Sequence, residues 1–347
     1  MKIFYGVQAT GNGHITRARA MAPKLKAAGA EVTWMFTGRP WEQLFEMDVF
    51  GDYQWRTGLT FATKAGHVQY IKTVMENPLL RFVRDIKSLD LSGYDRVVCD
   101  FEPVTAWAAK TQGIKTVGIG HQYAFCYDIP RAGADFLGEK VLRYFAPVNV
   151  GLGVHWHHFH HPILPPVIEQ GQEAVPTKPD KIIVYLPFED VNQAIHLLKR
   201  FPAYQFYVYS PTMPDKPDPH ADNVHVRQLS RTGFQKDFAD ASAVICNAGF
   251  ELASEALQAG KKILVKPLQG QMEQMSNALA LELLQLGQVM QTLDASTIAT
   301  WLEQSRAVRV QYPDSAQAIV DWLMQGELSV DASWIDGIWA QTVHAPL

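Results

Sequence analysis

The stretch that most constrains the fold runs from Val244 to Ala278, VICNAGFELASEALQAGKKILVKPLQGQMEQMSNA. An apolar run, Val244-Ile245-Cys246, reads as a buried strand and passes directly into the turn Asn247-Ala248-Gly249-Phe250. A helix-forming segment, Glu251 to Gln258, is stopped by Gly260, and a second apolar run, Ile263 to Val265, ends at Pro267. A polar loop then leads into another helix near Glu273. This is a β-α-β unit with its turn at the carboxyl end of a strand. Backbone N–H groups at such a turn, together with the helix dipole, suit an anion such as a diphosphate. Glu255 falls about one turn into the helix, where a carboxylate accepts hydrogen bonds from vicinal hydroxyls such as those of a ribose. Glu273 and Gln274 lie at the next strand-to-helix loop, which in a parallel sheet opens on the same edge. In outline this is a nucleotide-sugar site; the plainer alternative is a βα turn with no ligand.

The segment resembles the donor signature of the GT-B glycosyltransferases. It is most similar to the family that adds N-acetylglucosamine to the peptidoglycan lipid precursor and to the UDP-glycosyltransferases. Those families carry a Gly turn, a Glu six residues later, and an acid or amide followed by Gln ahead of an Asn-Ala step. Here these are Gly249, Glu255, Glu273-Gln274 and Asn277-Ala278. The resemblance implies Glu255 on the ribose, the Gly249-Phe250 backbone on the diphosphate, and Glu273 and Gln274 on donor-sugar hydroxyls. Where relatives often place a Ser or Thr near the phosphates, this chain has Glu251 and Leu252. Phosphate binding would then lean on backbone amides and Asn247, which leaves the donor's identity open.

At 347 residues the chain is long for one core, so two domains are expected. A net charge of −4 argues against a general nucleic-acid binder. No run reaches the roughly 18 apolar residues needed to span a bilayer. The opening MKIFYGVQATGNGH goes straight into a strand and a Gly turn, which does not read as a signal peptide. Cys99, Cys126 and Cys246 fit a reduced compartment, so a cytoplasmic protein is expected, at the inner face of the membrane if its acceptor is lipid-linked.

Lys2 to Val7 reads as a strand, Gln8 to His14 as a loop, Ile15 to Ala28 as a helix closed by Gly29, and Glu31 to Phe36 as the next strand. Gly11 and Gly13 invite a dinucleotide-binding reading, but Thr16 holds the third glycine position and no ribose-binding acid follows strand two. A Gly-x-Gly-His first turn fits GT-B enzymes better, because several carry a His there that points into the interdomain cleft. Gly11, Asn12 and Gly13 are therefore expected at the cleft. His14 could take the proton of an acceptor hydroxyl, or bind substrate, or merely cap the helix. Of Arg17 and Arg19, one could face the cleft, and at least one is expected to be solvated. Residues 54–64 read as a long connection. Val68 to Leu89 reads as a helix interrupted at Asn77-Pro78, with Lys72, Arg81, Arg84 and Lys87 among apolar residues. It is either a surface for an anionic membrane or, more plainly, a packed helix with a charged outer face. Asp100 and Glu102 end a strand at the cleft edge. Asp100 is an alternative base or the group that orients His14, and Glu102 could be only a helix-start acid. His121 and Gln122 follow the next strand as acceptor contacts or structural residues.

Residues 155–166, HWHHFHHPILPP, hold five His without an acid or Cys, and the prolines suit an interdomain connection better than a metal site. The expected divisions are an acceptor-binding domain over 1–160, a linker over 161–180, a nucleotide-sugar domain over 181–326, and a tail over 327–347 that returns to the first domain. The fold expected is α/β with GT-B architecture: two Rossmann-like domains facing across a cleft. The function expected is an inverting, metal-independent glycosyltransferase that needs no cofactor and takes a nucleotide-sugar donor, UDP-linked by resemblance, and an acceptor whose identity, lipid-linked or not, stays open. A non-hydrolysing UDP-sugar epimerase and a silent nucleotide-sugar-binding partner protein remain as alternatives.

Overall fold

The computed structural model describes residues 1–60, 63–64, 67–68, 79–133, 136–171, 175–214, 216 and 218–346. Two parallel sheets face one another. The first takes β1 (Lys2–Gln8), β2 (Glu31–Thr37), β3 (Tyr53–Trp55), β4 (Arg96–Asp100), β5 (Thr116–Gly120), β6 (Val150–Val154) and β7 (Ile163–Leu164), in the order β3-β2-β1-β4-β5-β6-β7. The second takes β8 (Lys178–Tyr185), β9 (Gln205–Ser210), β10 (Val224–Gln228), β11 (Ala241–Asn247), β12 (Lys262–Lys266) and β13 (Gln288–Val289), in the order β10-β9-β8-β11-β12-β13. Every pairing within them is parallel. Strands covered on both faces read as continuous apolar runs, and Ile3 to Tyr5 and Ala243 to Cys246 are buried residue after residue.

The order of each sheet reverses once, between β1 and β4 and between β8 and β11. Connections leave in opposite directions there, so a crevice opens at the carboxyl ends of the strands. The helices that start at these crevices are α1 (Asn12–Ala27) after β1 and α7 (Phe250–Gln258) after β11. Between them in the chain come α2 (Leu79–Ser88), α3 (Pro103–Gln112), α4 (Phe136–Tyr144), α5 (Val191–Leu198) and α6 (Arg231–Ala239). After α7 come α8 (Met272–Leu283), α9 (Ala295–Gln304), α10 (Ser315–Leu323) and α11 (Ala332–Trp339).

Several expected boundaries shift. Strand β3 overlaps the start of the stretch read as a connection, because Tyr53, Gln54 and Trp55 pair with β2 and Tyr53 stacks on Trp41. The helix expected over 68–89 is seen as α2; Val68 sits in a short ladder with Thr63, and residues 69–78 lie outside the described residues. The stretch expected as linker loses both its ends: the buried pair Ile163–Leu164 closes the first sheet, and Lys178 already pairs with Ala241 in the second. The chain also returns earlier than residue 327. Helix α10 already lies along α1, with Lys24 paired to Asp314, and Arg96 Nη2 donates to the carbonyls of Gln325 (2.7 Å) and Gly326 (2.8 Å). Helix α11 completes the return as expected: the Trp339 indole N–H donates to Ile163 O at 2.7 Å. Among the described residues no helix is long and apolar enough to cross a membrane.

Candidate functional site

The two crevices open onto one cavity of about 360 Å³. Gly11 caps α1 in an extended conformation, with no side chain on its first N–H groups, and both Gly11 and Asn12 line the cavity. Gly13 is needed for a close approach: a Cβ there would stand 2.8 Å from Glu251 Cγ across the cleft. Asn12 bridges it too, donating to the Tyr185 hydroxyl at 3.2 Å while accepting from Arg39 at 2.9 Å.

His14 follows on α1, and its Nδ1 lies 2.6 Å from Asp100 Oδ1. Arg17, one turn on, donates from Nε to Asp100 Oδ2 (2.8 Å) and from Nη2 to Oδ1 (2.6 Å). Asp100 is fully buried. Burial alone would raise its carboxyl, but Arg17 and then His14 outweigh that and bring it below the ordinary value. Arg17 Nη2 lies 2.9 Å from the same Nδ1, but the shorter contact is to the ionised Asp100, which accepts the imidazole N–H at Nδ1 and leaves a lone pair on Nε2. Nε2 makes no hydrogen bond among the described residues, and His14 lines the cavity. Asp100 itself is fully buried with both oxygens engaged and does not line the cavity. The expectation of one solvated arginine fails. Arg17 is 2% exposed and Arg19 is 7% exposed, Arg19 holding the carbonyls of Phe45 and Glu46.

Glu102 does not reach the cavity. It is the N-cap of α3, accepting from Val104 N (2.8 Å), Thr105 N (2.7 Å) and the Thr37 hydroxyl (2.8 Å). Phe101 between the two acids has φ +50°, a left-handed turn that sends Asp100 and Glu102 to different partners and presents its own ring to the cavity. His121 is held on both ring nitrogens: Nδ1 lies 2.9 Å from Val154 O, Nε2 lies 2.6 Å from Asn277 Oδ1, and the ring stacks on Phe250 at 4.1 Å. Burial lowers its pKa against the opposing pull of Glu273. It joins the two domains and leaves no group for an acceptor. Gln122 donates to both oxygens of Glu273 at 3.1 Å, while its Oε1 is buried without a partner among the described residues and the residue lines the cavity.

On the second domain, Gly249 caps α7 with no side-chain hydrogen bond, which leaves the first N–H groups of that helix open to the cavity. Asn247 is 6% exposed, donates to Lys266 O at 3.0 Å, and keeps a buried, unpartnered Oδ1. Glu255 makes no hydrogen bond among the described residues; burial and then nearby Glu169 push its carboxyl up to about 7, against the pull of Arg231. Gln274 lines the cavity while its Oε1 accepts from Leu268 N at 2.9 Å, which fixes the loop before α8.

One residue gains a place the sequence did not give it. Glu251, in the first turn of α7, forms a buried ion pair across the cleft with Arg17. Burial raises its carboxyl to about 8 against the pull of Arg17, with Asp100, Glu255 and Glu273 adding to the rise. The signal available was spacing: Arg17 lies three residues after His14, on the same helix face. The five His of 155–161 are spent on ring packing and turns, His155 against His121 and Phe250, and His157 and His158 against Trp339. Among the described residues no three metal-ligating side chains converge.

Residues 1–305 match the profile of glycosyl transferase family 1. No curated protein sequence matches the chain. Among solved structures, the chain is similar to MurG of Acinetobacter baumannii, with 16% identity over 92% of this chain and 98% of that one and a TM-score of 0.53. It is similar to the spinosyn rhamnosyltransferase SpnG, with 15% identity over 92% and 94% and a TM-score of 0.58. It is similar also to Arabidopsis thaliana UGT89C1, solved with quercetin, with 12% identity over 98% of both chains and a TM-score of 0.53. At these identities the likeness is one of fold.

Proposed function

This chain belongs to glycosyl transferase family 1, and from that membership we propose that it transfers a sugar from UDP to an acceptor hydroxyl with inversion and without a metal ion. One observation carries the reading: the free Nε2 of His14 and the uncapped N-terminus of α7 open onto the same cavity. The donor lies against the second domain, its diphosphate at the N–H groups after Gly249 and its ribose hydroxyls on Glu255. Glu273, Gln274 and Gln122 read the sugar, and the orphaned Oε1 of Gln122 and Oδ1 of Asn247 each want a donor group that a ligand would supply.

The acceptor oxygen attacks the anomeric carbon on the face opposite the diphosphate. Its proton passes to His14 Nε2, and the imidazolium so formed is stabilised through Nδ1 by Asp100. The bond to the diphosphate breaks as the new glycosidic bond forms, and the dipole of α7 takes up charge on the leaving oxygens. Phe45, Phe101 and Phe145 line the first-domain side, which supports an acceptor with an apolar body. Helix α2 turns Phe82 and Ile86 to the sheet and leaves Leu79, Leu80 and Val83 exposed beside Arg81, Arg84 and Lys87. That face supports peripheral contact with an anionic membrane and a lipid-linked acceptor.

Binding of UDP, TDP, GDP and NAD should single out UDP. UDP release from a UDP-sugar should require acceptor, and NMR of the product should give the anomer opposite to the donor's. A preference for NAD, or a retained anomeric configuration, would overturn the reading; UDP-sugar isomerised without acceptor would mark an epimerase instead.

A further inference from the structure

Arg17 sits in a fixed frame. Its Nε and Nη2 are taken by Asp100, it is 2% exposed, and only Nη1 reaches across to the second domain. There it meets Glu251, which lies in the first turn of α7, lines the cavity, and is pressed against Gly13 of α1. A carboxylate in the first turn of an uncapped helix stands where the helix would otherwise attract an external anion. Two orphaned buried oxygens flank the same space, those of Asn247 and Gln122, which shows a site with unmet polar demand rather than a finished interface.

We propose that Glu251 holds the place of the donor's diphosphate, and that on donor binding the diphosphate takes over the Nη1 face of Arg17 while Glu251 gives it up as the neutral acid. The proposal rests on the reading of the cleft as a nucleotide-sugar site and adds Arg17, from the opposite domain, to the groups that hold the leaving group. The charged and titratable groups around Glu251 favour the exchange. Arg17 faces it from α1, where His14 pairs with Asp100; Asp100 faces it from the end of β4, Glu255 from its own helix, and Glu273 from α8. Arg17 and His14 are the cationic or potentially cationic members, and the acids together with burial already bring Glu251 up to about 8. A diphosphate arriving within the same turn adds negative charge and moves that value further up. Donor binding therefore takes up a proton above neutral pH, and the exchange closes the charge balance at Arg17 without opening Asp100.

The test is calorimetric titration of UDP into the wild-type protein between pH 7 and 9, in two buffers of different ionisation enthalpy, with uridine as the ligand lacking a diphosphate. Wild type should take up a proton with UDP and none with uridine, the uptake growing as pH passes 8. Its UDP affinity should fall above pH 8, with a limiting slope of about tenfold per pH unit. Glu251→Gln should abolish both the uptake and the slope, binding UDP at pH 9 as tightly as wild type does at pH 7. No buffer-dependent heat in wild type overturns the proposal without any variant. So does a Glu251→Gln protein that keeps the wild-type slope, because the proton would then belong to another group such as His14. Failure of Glu251→Gln alone to bind UDP overturns the proposal, and failure of the wild-type protein to bind UDP at any pH overturns the donor reading as well.

Discussion

The two edges of the cleft are built on opposite principles. On the first domain, the charged groups His14, Arg17, Asp100 and Glu102 have protein partners, and three of the four are almost wholly buried. On the second, Glu251, Glu273 and Gln274 have protein partners, but among the described residues three features of the donor side are left wanting: α7 has no side-chain cap, Asn247 Oδ1 has no partner, and Glu255 makes no hydrogen bond. A self-satisfied network fixes geometry before substrate arrives, as proton transfer requires. An unsatisfied one gains its partners from a ligand, as binding requires. Substitutions on the first edge should therefore disturb turnover or folding, and those on the second should disturb affinity.

The sharpest contrast is His14→Ala. Loss of the base should lower the rate of sugar transfer by roughly a hundred- to ten-thousand-fold, the usual scale of general-base catalysis. UDP affinity should stay close to wild type, because the ring hangs on the first edge. Steady-state rates with matched calorimetry of UDP check this; a parallel loss of UDP binding would break the comparison. Asp100→Ala tests the same edge as a scaffold. It strands Arg17, which is 2% exposed, and should cost about 3–5 kcal/mol in denaturant unfolding, as breaking a buried pair does. On the opposite edge, Glu255→Ala should leave the unfolding midpoint within experimental reach of wild type. It should weaken UDP by about 1.5–3 kcal/mol, the scale of a hydrogen bond to a charged group.

The difference between the edges also explains what the sequence made legible. The second edge is local: Asn247, Gly249 and Glu255 sit within nine residues of chain, and Glu273-Gln274 within the next turn-and-helix, so spacing alone carries them. The first edge is assembled from afar. His14 could be placed in the loop after the first strand and Asp100 at the carboxyl end of a later one, but Arg17 meets Glu251 over 234 positions, which no local pattern encodes. Glu102 shows the converse limit. Its position before Pro103 carried the helix-start reading, yet only the left-handed turn at Phe101 decides that it caps α3 instead of facing the cavity. His121 was undecided for the same reason, because its partners Val154 and Asn277 belong to two different domains.

The smallest effect expected is on the pH dependence of stability, and it distinguishes the two edges in the protein without ligand. Asp100 is held below the ordinary carboxyl value, so it binds no more protons folded than unfolded and favours the native state as pH rises. Glu255 and Glu251 are raised to about 7 and about 8 from an ordinary 4.5, so the native state keeps protons that the unfolded chain has released. Their contribution is fully present below 4.5 and is lost as pH rises through 7 and then 8. Melting temperature should therefore decline across that window, and Glu255→Gln should flatten the part that ends near pH 7 while the part near pH 8 persists. Saturating UDP should flatten the same part in wild type, since ribose hydroxyls donating to Glu255 favour its ionised form and lower its pKa. If UDP leaves the Glu255 portion of the curve untouched while still binding, the ribose does not sit on that carboxylate, and the unmet groups of the second edge serve some other part of the donor.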